Sequence, residues 1–222
     1  MWNSQNVSRA RKTSPAGKVF LLALPLWNAL NLQSFVVVAY TTRRRRAVCG
    51  LFVMDEQRIL LRHFLAALAY RTQKALRDAP SGFSSFRPAP RVRTPQELIR
   101  HMDDVLGYSR TFFIGGSYRA PEFIGFQDAI AHFHETLSDV ARHITLGTKL
   151  REITPEVLLQ GPFSDAMTHA GQLALLRRLA GSPVPPENFI FADIKSSNLS
   201  PDQPLPARPD EHWPDGSDQG SG

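Results

Sequence analysis

The segment from Gly161 to Gly181 carries three polar residues whose types and spacing could do chemistry. Asp165, His169 and Gln172 follow one another at intervals of four and three residues in SDAMTHAGQLALLRRLAG. On a helix, residues at these intervals share a side, with Cβ atoms about 5–6 Å apart. A carboxylate and an imidazole placed in this way could share a metal ion, or could simply hydrogen-bond to each other at the helix surface.

The same segment has the start and stop signals of a helix. Gly161-Pro162 places proline at a first helical position, and Gly181-Ser182-Pro183 prevents the helix from continuing. Leucines at helical spacing form an apolar stripe, which predicts that Arg177 and Arg178 face outward. Traced back by threes and fours, the stripe leads to the three polar residues, so we expect them on the core-facing side.

A second helix supplies a third candidate ligand. Thr94-Pro95-Gln96-Glu97 is a capping box with proline at the first helical position, and it predicts a helix that Gly115-Gly116 closes. His101 lies at the edge of the apolar stripe of this helix. If the two helices face each other, His101, Asp165 and His169 form a set of two nitrogens and one oxygen, which leaves coordination positions open for water or substrate.

Residues 54–195 show helical periodicity throughout and almost no alternating strand pattern. Breakers divide them into four amphipathic helices of similar length: the first spans Asp55 to Asp78, the second opens at the capping box, the third runs from Pro121 to Gly147, and the fourth is the segment described above. We therefore predict an all-α fold, a four-helix bundle. Four other histidines on these helices are expected to be structural or exposed: His63, His132, His134 and His143.

The two ends of the chain differ in composition from the predicted bundle. Residues 1–53 hold eight Lys/Arg and no acidic residue, and they are predicted to be an extension that is poorly ordered or outside the core. Residues 19–40 are apolar enough to raise the alternative of a membrane anchor, although Pro, Asn, Gln and Ser interrupt them. Residues 196–222 are rich in Pro, Asp, Ser and Gly, which predicts a disordered tail.

Charge and cysteine content narrow the function classes. The net charge of +6 arises in residues 1–53, because the rest of the chain holds 18 Lys/Arg against 20 Asp/Glu. The predicted bundle therefore gives no argument for nucleic acid as a partner. Cys49 is the single cysteine, which excludes a disulfide framework and a zinc–thiolate site and favours a cytoplasmic location. No P-loop, GxSxG or dinucleotide-binding glycine motif is present.

Taken together, His101 in ELIRHMDDVLGYSRTFF and the segment SDAMTHAGQLALLRRLAG resemble the DinB-like (YfiT-like) superfamily of four-helix bundles. The resemblance covers residues 54–194. His101 matches the histidine on the second helix of that family, His169 matches the last histidine of its H-x-x-x-H motif, and Gly171-Gln172 match the Gly-Gln that follows. Asp165 stands where the other histidine is usual, which keeps a 2-His-1-carboxylate set.

This resemblance implies a divalent-metal-dependent enzyme that acts on a small molecule. His101, Asp165 and His169 would bind a Zn, Ni, Mn or Fe ion, and Gln172 would support the ligands without binding the ion. Members of the family include thiol-dependent transferases and hydrolases, so a low-molecular-weight thiol is an expected partner, and a homodimer is allowed. The resemblance assigns no other catalytic residue. The alternative is a non-catalytic bundle that binds a ligand or a partner protein and keeps a vestigial metal site.

Overall fold

The computed structural model describes residues 42–209, with side chains from residue 56 onward. Residues 1–41 and 210–222 lie outside the described part, and so does the stretch at residues 19–40 for which a membrane anchor was the alternative interpretation. The helices are α1 (Thr42–Leu76), α2 (Pro95–Ile114), α3 (Phe126–Leu146), α4 (Pro155–Leu158) and α5 (Ser164–Leu179), with single 3-10 turns at Phe83–Ser85 and Phe189–Phe191. Residues 42–209 contain no strand, only an isolated bridge between Glu187 and Pro209, so the predicted all-α class is confirmed there.

Helix α1 begins earlier than the sequence pattern predicts. It starts at Thr42, whereas the apolar periodicity starts near Asp55, and the run of four arginines lies in its first turns. Arg, Ala, Leu and Met are strong helix formers, and Gly50 alone does not break the helix. Among residues 42–209, none of the helices has the combination of length and apolar character needed to cross a membrane.

The predicted limits of α2 are confirmed. The Thr94 hydroxyl accepts a hydrogen bond from the backbone N–H of Glu97, and the Glu97 carboxylate accepts one from the backbone N–H of Thr94 at 2.8 Å. This reciprocal pair satisfies two N–H groups that the first helical turn leaves without partners. The helix ends before Gly115, whose φ of 81° is one that glycine adopts without strain.

A kink at Gly161 separates the fourth predicted helix from the short helix α4 that precedes it. Helix α4 continues into a π-helical turn at Leu159–Phe163, and Gly161 has a non-helical ψ of −106°. Pro162 follows directly and has no backbone N–H to donate, so the regular hydrogen-bond ladder is interrupted there. Helix α5 therefore starts at Ser164, and Asp165 falls in its first turn.

The long helices share one hydrophobic core. Helix α1 packs on α3 and α5, and α2 packs on the same two helices. The largest fully buried side chains come from all four, and Phe64 of α1 stacks on Phe163 at the start of α5 with ring centroids 6.1 Å apart. Each such side chain contributes about 1.5–3 kcal/mol on burial, so the core fixes the relative register of α2 and α5.

Parts of the chain after α5 pack back onto the helices. The sequence predicts disorder from residue 196, but Leu199 is buried and its carbonyl accepts a hydrogen bond from His134 Nδ1 at 2.7 Å. Arg77 donates to the carbonyl of Gln203 at 2.6 Å. Side chains of the helices therefore satisfy backbone groups of this segment, which explains how it is ordered without a periodic apolar pattern.

Arg177 also differs from its predicted outward orientation. Its side chain is buried, and its guanidinium donates to the carbonyls of Ala75 and Arg77 at the end of α1. A buried arginine is stable here because it satisfies carbonyls that the last turn of α1 leaves without helical partners. Burial lowers the pKa of Arg177. The guanidinium nevertheless has carbonyl acceptors both at the end of α1 and in the chain just after α5.

Candidate metal centre

The structure brings the three predicted ligands together from two helices. His101 lies on α2, while Asp165 and His169 lie one turn apart on α5. Asp165 Oδ1 is 3.4 Å from His169 Nε2, and Asp165 Oδ2 is 3.9 Å from His101 Nε2. Each residue offers one ligand atom, and these three atoms lie within 4.8 Å of one another. The cluster therefore has the size of a metal site.

Core residues next to the ligands fix this arrangement. His101 follows Leu98 and Ile99 and precedes Met102, all of them buried, so α2 cannot rotate without exposing its apolar face. On α5, Ala166 and Ala170 are buried beside His169. The two imidazole rings meet edge to face, with centroids 4.7 Å apart and planes at 71°.

Exposure increases across the cluster from His169 to Asp165. The side chain of His169 is 8% exposed, that of His101 is 28% exposed and that of Asp165 is 46% exposed. The expectation that the three polar residues face the core is therefore wrong for Asp165 and for the exposed Gln172. The kink at Gly161 makes Asp165 a first-turn residue at the edge of the core, where water reaches the carboxylate.

The hydrogen bond of His169 to Gln172 defines which ring nitrogen is available. His169 Nδ1 is 2.9 Å from Gln172 Oε1, and an amide oxygen only accepts, so Nδ1 carries the proton and Nε2 carries the lone pair. His169 Nε2 is buried and has no hydrogen-bond partner among the described residues. A buried acceptor without a partner costs about 1–3 kcal/mol. A cation at the centre of the cluster would satisfy this atom, so the residues present fit a divalent metal ion.

The electrostatic surroundings of His101 favour its neutral form. Burial lowers the pKa of His101, and the positive charge of Arg93 lowers it further, while Asp165 opposes both effects. Neutral imidazole is the form that binds a metal ion. The effect of Arg93 on His101 could not be predicted from the sequence, because a single arginine before a capping box is not a recognisable motif.

The other four histidines on the described helices have different surroundings. His63 is exposed beside Ser196, His132 pairs with Asp103, His134 bonds to the Leu199 carbonyl, and His143 contacts Thr148. The Nε2 atoms of His134 and His143 are also buried without a partner. Neither belongs to a group of three ligand residues in the part of the chain that the structure describes. Within residues 56–209, the triad alone combines an unpartnered nitrogen with two further ligands.

Two imidazoles and one carboxylate form a donor set that suits borderline divalent ions. With three protein ligands, a four- to six-coordinate ion retains positions for water or a substrate. A cavity of about 590 Å³ lies elsewhere, between α1, α3 and residues 197–200, and none of the three ligands lines it. Chemistry at the triad would therefore take place where Asp165 opens to solvent.

Comparison of the chain with protein-family models, with curated proteins and with solved structures gave no match. The fold and the site define the class of protein: an all-α protein whose helices α2 and α5 carry a cluster that could hold a metal ion.

Proposed function

We propose that the protein is a divalent-metal-dependent enzyme of the DinB-like four-helix-bundle type, acting on a small molecule. The observation that carries the proposal is His169 Nε2, which is buried, has no hydrogen-bond partner and lies 3.4 Å from a carboxylate oxygen of Asp165. The four long helices around one core and the positions of His101, His169 and Gln172 support membership of this family.

In this proposal His101, Asp165 and His169 hold a Zn, Ni, Mn or Fe ion, and Gln172 has a supporting role. Gln172 Oε1 accepts a hydrogen bond from the Nδ1–H group of His169. This bond holds the ring so that the Nε2 lone pair is directed at the cluster. Two imidazoles favour a borderline ion such as Zn²⁺ over a hard one such as Mg²⁺. When bound, the ion would act as a Lewis acid that activates water or a substrate thiol.

The residues of the chain limit which thiol could take part. Cys49 is the single cysteine, and it lies outside residues 54–195, which carry the predicted bundle. A thiolate in the reaction would thus come from the substrate, as in a transferase that uses a low-molecular-weight thiol. Asp165, the most exposed ligand, lies on the side from which such a molecule would approach.

The second candidate is a non-catalytic bundle with a vestigial site. The contact between Asp165 and His169 favours it, because a carboxylate and an imidazole one helical turn apart can pair without any ion. A vestigial site does not explain why His101, from another helix, also lies next to the Asp165 carboxylate.

The test is the metal content of protein purified without a histidine tag. We expect about one equivalent of a divalent metal in the wild type and loss of that metal in His169→Ala. His134→Ala is the matched control, because His134 is also buried with an unpartnered Nε2 but has no ligand pair beside it. A folded wild type without metal, or equal metal content in both variants, would favour the vestigial site.

A further inference from the structure

A second carboxylate–imidazole pair lies on the opposite side of α2, facing α3. The Asp103 side chain is 1% exposed, and its Oδ2 is 2.7 Å from His132 Nδ1. Its Oδ1 accepts a hydrogen bond from the Tyr118 hydroxyl at 3.1 Å. Because a carboxylate only accepts, Nδ1 of His132 carries a proton, which leaves Nε2 as the basic nitrogen of the neutral imidazole.

The surrounding residues hold this imidazole in one orientation. A Cβ atom at Gly107 would lie 2.0 Å from the Tyr118 ring, so glycine allows the tyrosine to lie directly on the backbone of α2. Tyr118 then reaches both Asp103 and the hydroxyl of Thr136, which lies 3.1 Å away. Burial raises the pKa of Tyr118 to about 12, so the hydroxyl stays a neutral donor to Asp103.

The outer edge of the imidazole is accessible. The His132 side chain is 27% exposed, and its Nε2, unlike those of His134, His143 and His169, is not among the buried unpartnered nitrogens of residues 56–209. The partly exposed Phe123 has its ring centroid 5.0 Å from that of His132. An aromatic side chain therefore borders the imidazole and could contact an aromatic group of a substrate.

We propose that Asp103 and His132 form a second catalytic site, a general-base dyad that hydrolyses esters with an aromatic leaving group. His132 Nε2 takes a proton from water as the water oxygen adds to the ester carbonyl carbon. The bond from that carbon to the aryl oxygen then breaks, and the aryl oxide leaves with the electron pair. The Nε2 proton passes to the aryl oxide or to solvent, which restores neutral His132 and leaves a carboxylic acid.

Asp103 acts in this reaction as a positioning residue. Its carboxylate holds the Nδ1–H tautomer and stabilises the imidazolium that forms when Nε2 takes the proton. The site uses none of the three ligands of the triad, so it is independent of the proposed metal chemistry.

The experiment follows hydrolysis of p-nitrophenyl acetate by the full chain in the presence of a chelator, which removes any contribution of a bound ion. We expect His132→Gln to lower kcat by about 100-fold, the lower range for a positioned general base. His63→Gln is the matched control and should keep the wild-type rate, because His63 is an exposed histidine whose ring contacts a serine in place of a carboxylate.

Asp103→Asn tests the positioning role. It should lower kcat while the KM for the ester stays unchanged, a separation that a general loss of structure would not give. If Asp103→Asn does not fold, the comparison of His132→Gln with His63→Gln decides alone, since a glutamine at position 132 can still donate a hydrogen bond to Asp103. Wild-type kcat in His132→Gln, or an equal loss in His63→Gln, would overturn the proposal.

Discussion

Two of the polar clusters that adjoin the core in residues 56–209 differ in how completely their hydrogen-bonding groups are satisfied. In the first cluster, the buried Glu187 carboxylate accepts from the Tyr70 hydroxyl at 2.7 Å and from Lys74 Nζ at 2.8 Å. In the second, His101, Asp165 and His169 approach one another, but His169 Nε2 has no partner among the described residues. We call the first cluster closed, because both oxygens of the Glu187 carboxylate have partners, and the second open, because His169 Nε2 has none among the described residues.

This difference indicates which buried polar groups are structural and which are available for binding. Burial and the hydrogen bond to Glu187 raise the pKa of Tyr70, so the phenol remains a neutral donor to that carboxylate. A fully satisfied network in a low-dielectric site rigidifies the fold. An unsatisfied buried nitrogen beside two other ligand groups weakens the fold unless something binds it.

The largest effect is expected when the closed cluster is broken. Glu187→Ala would leave the Lys74 ammonium buried without its counter-charge, which should lower the free energy of unfolding by about 3–5 kcal/mol. Chemical denaturation measures this change. Asp193→Ala removes a carboxylate from an exposed pair with Lys195 and should have little effect. Equal stability of the two variants would mean that the Glu187 network does not stabilise the fold.

A smaller effect is expected from filling the open cluster. With zinc at a hundredfold excess over Kd, the wild type should gain about 2.7 kcal/mol in the free energy of unfolding, because the ion binds only the native state. His101→Ala should lose most of this gain, since His101 comes from a different helix than the other two ligands. Thermal unfolding with chelator and with zinc measures this gain. His63→Ala is the control, and its gain with zinc should equal that of the wild type. An identical zinc response in His101→Ala would exclude His101 as a ligand.

Local signals made the helices and the triad predictable from the sequence. The capping box at Thr94 fixes the start of α2, and with it the side on which His101 lies. The four-residue spacing of Asp165 and His169 depends only on helix geometry. These features need no knowledge of distant contacts, so the sequence alone predicts them.

The closed cluster and the dyad depend on contacts between distant residues and could not be predicted in this way. Glu187 lies 117 residues from Tyr70, and Asp103 lies 29 residues from His132. The burial of Leu199 likewise depends on a hydrogen bond from His134, 65 residues earlier. A composition rich in Pro and Ser indicates disorder only when no folded surface satisfies the backbone, and that surface is not visible in the local sequence.

The hydrogen bond from His169 to Gln172 should have a moderate effect on metal affinity. Gln172→Ala removes the acceptor that holds the Nδ1 proton, so we expect zinc to bind about 10–100-fold more weakly. Gln172→Glu retains an oxygen acceptor at the same position and should keep most of the affinity. Competition with a chromogenic zinc chelator measures both variants. Wild-type affinity in Gln172→Ala would show that His169 needs no support from this side chain.

The smallest effect concerns coupling between the two clusters across α5. Ala170 and Gly171 line a cavity together with Glu187, and His169 precedes them on the same helix, so the clusters adjoin α5 on different sides. They share no hydrogen-bond partner among the described residues, and independent sites add within about 0.3–0.5 kcal/mol. In a double-mutant cycle of Glu187→Gln and His169→Ala, measured by denaturation with chelator, we expect the coupling energy to stay within that limit.

Glu187→Gln is suited to the cycle because the amide keeps the shape of the side chain and an acceptor for Tyr70. A coupling well above this limit would mean that α5 moves as a unit when either cluster changes, and metal binding would then tighten the closed cluster as well.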